Sequence, residues 1–316
     1  MVLIALAAGK PNPGPIAGRP WTLPLPDHKM LPMVWISPGA FLMGSPAFET
    51  GRKADEGPQT RVTLTAGYWL GTTEVTVGQW KAVTGESLRE HVAKMLNDDT
   101  VYDFGDRKAT LRDYMHFDRD APDKIMANED DGLPMYFVSW NDAMDFCRKL
   151  TTQEKADGQL PEGYAYTLPT EAQWEYACRA GTTTATFAGP LAAGGKVSPI
   201  MDSIAWYGGD NAVNYQGKKL GNSGAGPRDV GEKAPNPWGL EDMPGNIWEW
   251  CLDWYGPYPG GSVSDPTGPI TGSGHVNRGG SWGSGLYDER SAARASNPQP
   301  EKSAYRGFRL ALSRVE

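Results

Sequence analysis

The stretch 239–254, Gly-Leu-Glu-Asp-Met-Pro-Gly-Asn-Ile-Trp-Glu-Trp-Cys-Leu-Asp-Trp, constrains the fold of this chain more than any other. Trp248, Trp250 and Trp254 fall at even spacing, the period of side chains on one face of a strand, and Glu249 and Asp253 fall on the opposite face. Ahead of that strand, Asp242-Met-Pro-Gly-Asn246 makes a turn that can present backbone carbonyls beside a carboxylate. Carbonyls and carboxylates converging on one point are what a hard cation such as calcium requires. Spacing alone favours a plainer reading, a Trp-rich core strand with a solvated acidic face. The chain as a whole carries 12 Trp, 39 Gly and 26 Pro in 316 residues. That composition describes a loop-rich domain pinned by aromatics and, where carboxylates gather, by ions.

Charge and cysteine usage exclude several classes. A net charge of −8, with no Lys/Arg cluster to offset it, argues against a nucleic-acid partner. Cys147, Cys178 and Cys251 form an odd, sparse set in apolar settings, which reads as buried thiols and not as a disulfide framework. Four scattered histidines give no zinc spacing. No segment is long and apolar enough to span a membrane. Residues 2–8 are apolar and close on Ala-Leu-Ala-Ala, like the end of a signal peptide. Read that way the protein is periplasmic or secreted; read as a frayed tail it is cytoplasmic.

Along the chain, residues 1–32 are expected to form an extended Pro- and Gly-rich tail, and residues 33–316 a single domain. Residues 33–45 predict two short strands around Pro38-Gly39, and 60–68 another strand. Residues 74–84 start a helix after a Thr cap. The acidic segment 87–132 is expected to be a solvated insertion with one amphipathic piece at 88–96. Its carboxylates match no EF-hand register. Residues 139–152 repeat apolar positions at three and four behind a Ser139 cap, and 170–180 open with the capping box Thr170-Glu-Ala-Gln173. Residues 181–237 are mostly loop, with a short strand expected at 204–207. Two long helices, many short strands and long loops make an α+β fold, not an alternating one.

Six separate motifs then carry a family resemblance, in order, over about residues 33–312. They are Pro38-Gly-Ala-Phe-Leu-Met-Gly-Ser45 with Glu74-Val-Thr76, Val138-Ser-Trp-Asn-Asp-Ala143, Leu168-Pro-Thr-Glu-Ala-Gln-Trp-Glu175, Gly239-Leu240 through Trp250, Arg278-Gly-Gly-Ser-Trp282, and Gly307-Phe-Arg-Leu310. The chain resembles the formylglycine-generating enzyme, or sulfatase-modifying-factor, family. The resemblance implies a variant of the C-type lectin fold, with few helices, short antiparallel strands and long loops. It also implies a structural calcium held by the Asp242 side chain, the Gly245 and Ile247 carbonyls and the Glu249 carboxylate. A second calcium would fall near residues 204–205 and 222–224.

One departure bears on activity. The oxidase members follow Arg-Gly-Gly-Ser with two cysteines that bind copper and convert a substrate cysteine to formylglycine. Here Ser284 stands at the first cysteine position, and Asp288 or Glu289 near the second. A hydroxyl and a carboxylate do not replace thiolates for soft Cu(I). The family geometry would place Ser284, Tyr287, Asp288, Glu289 and Arg290 at a cleft taking a small-molecule or peptide ligand. Carboxylates beside a hydroxyl and an arginine suit a calcium-dependent hydrolase of ester or phosphoester substrates. A binding module is the alternative, displaying loop 283–306 with Tyr287, Asn297 and Tyr305. A third reading is an accessory protein of sulfatases whose activity has been lost.

Overall fold

A computed structural model describes residues 20–116, 126, 128–208 and 226–315. The helices begin where the sequence caps them. Thr76, Ser87, Ser139 and Thr170 each accept a hydrogen bond from the backbone N–H three residues on, and open the helices Val77–Thr84, Leu88–Asn97, Trp140–Ala156 and Glu171–Arg179.

Around these helices stand short strands. One five-stranded sheet runs in the order Pro20–Pro24, Met30–Ile36, Tyr68–Gly71, Ala311–Arg314, Tyr164–Thr167, antiparallel throughout. A three-stranded sheet joins Gly261–Ser264, Thr60–Leu64 and Gly39–Met43. A four-stranded sheet orders Arg294–Asn297, His275–Arg278, Trp248–Trp254 and Arg306–Gly307, the last pair being parallel. The α+β expectation with few helices and short, mostly antiparallel strands is met. The two strands flanking Pro38-Gly39 are present but enter different sheets, so the turn is a corner and not a hairpin. Among the described residues no helix is long and apolar enough to cross a membrane.

Trp248–Trp254 lies between the two main cores. Trp250 packs in one with Trp69, Trp80, Phe146 and Phe308, and Cys251 packs in the other with Trp174, Tyr68 and Met243. Fully burying a Trp removes 150–250 Å² from water, about 4–6 kcal/mol of transfer free energy as an upper estimate. A strand with a core on each side cannot keep a wet acidic face. Glu249 and Asp253 are indeed buried, which corrects the solvated-face reading.

Three further expectations are corrected. Residues 20–24 are not tail but an edge strand paired with residues 30–34, so the ordered domain begins earlier than residue 33. The signal-like residues 2–8 lie outside the described residues. The segment 87–132 is not simply solvated where it is described. Leu88, Val92, Met95, Leu96, Phe104 and Leu111 from it enter the main core. The amphipathic stripe of 88–96 was legible; that it faces the domain's own core was not. Residues 204–207 form no strand, because Pro199–Ile204 is a short helix capped by Ser198.

His275 is held flat between Trp140, with ring centroids 4.0 Å apart, and Trp254, at 3.9 Å. Its Nδ1 donates to the Leu252 and Asp253 carbonyls, and Gln299 Nε2 donates to its Nε2. Burial pushes the imidazole pKa down to about 4. The unfolded chain therefore binds this proton more readily than the folded one, and stability falls as pH drops from about 6.5 towards 4. The urea midpoint of His275→Phe, which keeps the stack, is expected to fall less steeply than wild type over that window. Parallel slopes would show that the imidazole does not contribute.

Candidate functional site: the 242–249 turn and the Ser284 face

The turn ahead of Trp248–Trp254 is wound tightly. Asp242, Gly245 and Asn246 all take left-handed backbone, with φ of 51°, 86° and 61°. It stitches distant segments together. Gly245 N donates to Gly279 O at 2.7 Å, Asn246 N to Trp206 O at 2.8 Å, and Trp282 N to Asn246 O at 2.7 Å. The Asn246 side chain accepts from Arg228 N and donates to Arg228 O.

Asp242, Glu249 and Glu74 at the turn are buried, and Glu241 is half-buried. Asp242 Oδ2 accepts from Gly231 N at 2.6 Å, while Oδ1 has no hydrogen-bond partner among the described residues. Burial raises the Asp242 pKa to about 6. Glu249 is fully engaged: Arg309 grips both its oxygens at 2.6 and 2.7 Å, and Trp174 Nε1 donates to Oε2 at 2.7 Å. A third carboxylate, Glu74, is completely buried, and neither of its oxygens has a hydrogen-bond partner among the described residues. Burial, and then repulsion from Asp242 and Glu249, push its pKa well up.

These observations test the implied calcium site. The unpartnered Asp242 Oδ1 fits a cation ligand, and Gly245 and Ile247 belong to the same turn. Glu249 fits poorly, since hydrogen-bond donors already cover both its oxygens. Among the described residues no three His, Cys, Asp or Glu side chains gather as a ligand set, so a cation here would depend on backbone carbonyls as well. Of the second implied site, residues 222–224 lie outside the described residues.

The five residues expected to share a cleft do not converge. Arg290 is buried and pairs with both oxygens of Glu56 and with Glu49, and donates to Gly51 O. Asp288 pairs with Lys53 at 2.6 Å. Tyr287 donates its hydroxyl to Ala192 O at 3.0 Å. Glu289 is buried behind Ser281, accepting from Ser281 N at 3.2 Å, and burial with the nearby Asp288 charge pushes its pKa well up. Ser284 is half-buried beside Trp248, Gly283 and Tyr305, and Tyr287 and Asp288 are half-buried as well. Asn297, from the alternative reading, donates to Glu301 at 2.8 Å. The three cysteines are free and buried, in the helices Trp140–Ala156 and Glu171–Arg179 and in the strand Trp248–Trp254. None occupies the Ser284 position.

At Ser284 the hydroxyl meets an indole and a second hydroxyl. Trp248 Nε1 donates to Ser284 Oγ at 3.1 Å, Gly283 N lies 3.4 Å from Ser281 Oγ, and the two hydroxyl oxygens are 2.8 Å apart. One hydroxyl proton lies between them; the other must find an acceptor elsewhere. Ser281 is buried, and the nearby Glu289 Oε2 receives no hydrogen bond. Either hydroxyl can donate across the Ser281–Ser284 contact. Ser284 Oγ accepts from the Trp248 indole whichever way that bond runs, and neither of these two partners is a base. Trp282 and Tyr305 stack beside it at 4.6 Å. A separate cavity of about 50 Å³, lined by Glu171, Asp253, Tyr258 and Arg294, includes none of these residues.

Two participants were missed from the sequence, Glu74 and Arg309. Both lie in motifs that carried the resemblance, Glu-Val-Thr and Gly-Phe-Arg-Leu, yet nothing in their spacing announces that they meet.

Comparison with known proteins matches this arrangement. Residues 23–314 fit the model of the sulfatase-modifying factor enzyme 1-like domain. The mouse formylglycine-generating enzyme is 29% identical over 317 residues, covering 92% of this chain and 77% of its own. Two solved structures share the fold. Treponema denticola variable protein 1 has a TM-score of 0.64 and 23% identity, covering 92% of this chain and 98% of its own. PvdO from Pseudomonas aeruginosa has a TM-score of 0.65 and 22% identity, covering 95% and 100%. Motif order, topology and a domain match across nearly the whole chain place this protein in the formylglycine-generating enzyme, or sulfatase-modifying-factor, family.

Proposed function

We propose that this protein is a non-oxidase member of its family that binds a small-molecule or peptide ligand on the face formed by Trp248, Gly283, Ser284 and Tyr305. The observation that supports this best is the half-buried Ser284 hydroxyl, fixed by the Trp248 indole N–H beside the stacked Trp282 and Tyr305 rings. Such a group recognises a carbonyl, carboxylate or hydroxyl oxygen on a ligand, and the aromatic rings beside it supply apolar contact. A hydrolase would need a base on Ser284, and its neighbours are Ser281 and an indole N–H. Copper oxidation would need thiolates where Ser284 stands.

Calcium is part of this reading as a structural ion. Asp242, with the Gly245 and Ile247 carbonyls, would hold it, and it would supply positive charge against buried carboxylates at the base of Trp248–Trp254.

The test has a binding arm and an activity arm. Ligands captured from peptide and glycan arrays are expected to bind Ser284→Ala about tenfold more weakly, the effect of one hydrogen bond. Chromogenic ester, phosphoester and sulfate substrates, with calcium or chelator, are expected to show no turnover. So is a Cys-containing sulfatase peptide with copper. Ester or phosphoester turnover lost in Ser284→Ala would replace the binding reading with the hydrolytic one.

A further inference from the structure

The cavity lined by Glu171, Asp253, Tyr258 and Arg294 lies away from the 242–249 turn and from Ser284. It forms where the strand Trp248–Trp254 ends and the chain folds back across it. Residues 266–273, Pro-Thr-Gly-Pro-Ile-Thr-Gly-Ser, make that crossing. Asp265 ties down one end, accepting from Thr65 N and Thr65 Oγ1, and Gly274 O ties down the other, accepting from Tyr255 N. Between these anchors the segment lies close on the strand: a Cβ added at Gly268 would stand 2.8 Å from Trp254 O, and one at Gly272 3.1 Å from Trp254 Cβ. Val62, Val263, Pro257, Pro259, Pro266 and Pro269 give the cavity apolar walls. Its volume of about 50 Å³ exceeds what one water needs.

All but one of the polar groups named on its wall are engaged within the protein. Arg294 holds both oxygens of Glu171, at 2.8 and 2.6 Å, and donates to the Asp55 and Gly256 carbonyls. The Tyr258 hydroxyl donates to Glu171 Oε1 at 3.1 Å, and Thr60 Oγ1 to Pro58 O at 3.2 Å. Asp253 is the exception. It is 4% exposed, and its Oδ2 accepts from Glu171 N at 2.8 Å. Its Oδ1 is turned towards Gly268, 3.3 Å from where a Cβ would stand. No other described residue donates to this carboxyl, and no described cation pairs with it: Arg294 is committed to Glu171, Arg278 to Glu175, and the nearby His275 is uncharged above about pH 4. The crossing segment carries no titratable side chain. Burial, and then the Glu171 charge, raise the Asp253 pKa to about 8, so the group is a neutral acid with one O–H to donate.

We propose that this cavity is a second binding site, for a small uncharged molecule that presents one acceptor oxygen to Asp253 and a short apolar body to the proline and valine walls: a short-chain ketone or alcohol. The walls argue against charged ligands. An ammonium would bring three N–H donors to a single free carboxyl, and a carboxylate would sit beside Glu171 with Arg294 already taken.

The test is saturation-transfer NMR on the full chain with four probes of similar size: acetone, 2-propanol, acetate and isopropylammonium. Acetone and 2-propanol are expected to take up saturation about fivefold more strongly than the two ions at about pH 6.5. Their signal is expected to fall about fivefold by about pH 9.5, because the donor proton is present below the raised pKa and lost above it. Val263→Trp, which fills the cavity, is expected to abolish the signal. Asp253→Asn keeps an acceptor for Glu171 N and a donor for the ligand, and is expected to bind at both pH values without the alkaline loss. Wild type with no saturation transfer to either neutral probe, as for a cavity that holds water alone, overturns the site. So does a full signal in Val263→Trp. Stronger transfer to either ion overturns the ligand class, and an unchanged alkaline loss in Asp253→Asn removes Asp253 as the donor.

Discussion

Replacing Arg309 with Met is expected to lower unfolding stability by about 3–5 kcal/mol, the usual effect of removing one partner from a buried ion pair. Arg309 is fully buried. Its guanidinium holds both oxygens of Glu249 and also donates to Gly71 O, Thr72 O and Glu241 O, at 3.0–3.1 Å. Methionine fills similar volume but leaves a buried carboxylate without its counter-charge. Trp174 Nε1 alone remains on Glu249. It also leaves Glu74 and Asp242 without the one guanidinium whose charge favours their ionised forms. The double variant Arg309→Met/Glu249→Leu is expected to recover most of the loss, since exchanging a whole buried pair for apolar groups is often neutral. Urea midpoints of the two single variants and the double variant form a thermodynamic cycle. If Arg309→Met costs less than about 1 kcal/mol, or the double variant is as unstable as the sum of the singles, the ion pair is not what joins these segments.

Local signals were legible: the caps at Thr76, Ser139 and Thr170 and the alternation of Trp248, Trp250 and Trp254 rest on contacts within a few residues, and each has its place in the fold. Motif order supplied the family. What the sequence concealed depends on long-range contact. Glu249 alternates with tryptophans as a solvated residue would, and only the second core behind the strand makes it buried. Arg290 and Asp288 read as chemistry because they follow the Arg-Gly-Gly-Ser motif closely. Their partners, Glu56 and Lys53, lie more than 200 residues away. Ser284 was identifiable as a replaced cysteine, but its hydrogen bond from Trp248, on the strand Trp248–Trp254, was not.

Backbone geometry gives the second large effect. Gly245→Ala is expected to destabilise the protein by about 3–5 kcal/mol and to loosen the Ser284 face. The residue has φ of 86°, a region where a side chain costs about 1–3 kcal/mol. There is also no space for the methyl group. A Cβ at this position would lie 2.5 Å from Trp206 O and 2.9 Å from Trp206 N, both backbone atoms. Relief requires moving either the 206 segment or the turn, and overpacking of this kind adds about 1–3 kcal/mol. Either movement strains the Asn246 N to Trp206 O bond and, through Asn246 O, the anchor of Trp282 N. Trp282 stacks on Tyr305, so the disturbance reaches the proposed binding face without touching a residue on it. The variant is therefore expected to show a lowered urea midpoint together with weaker calcium stabilisation and weaker ligand capture. Gly239→Ala, also left-handed at φ 83° but with nothing within 4 Å of its Cβ, supplies the control. It should incur the conformational cost alone and leave calcium response and capture intact. Equal losses in the two variants would mean that conformation, and not the contact with Trp206, explains the whole effect.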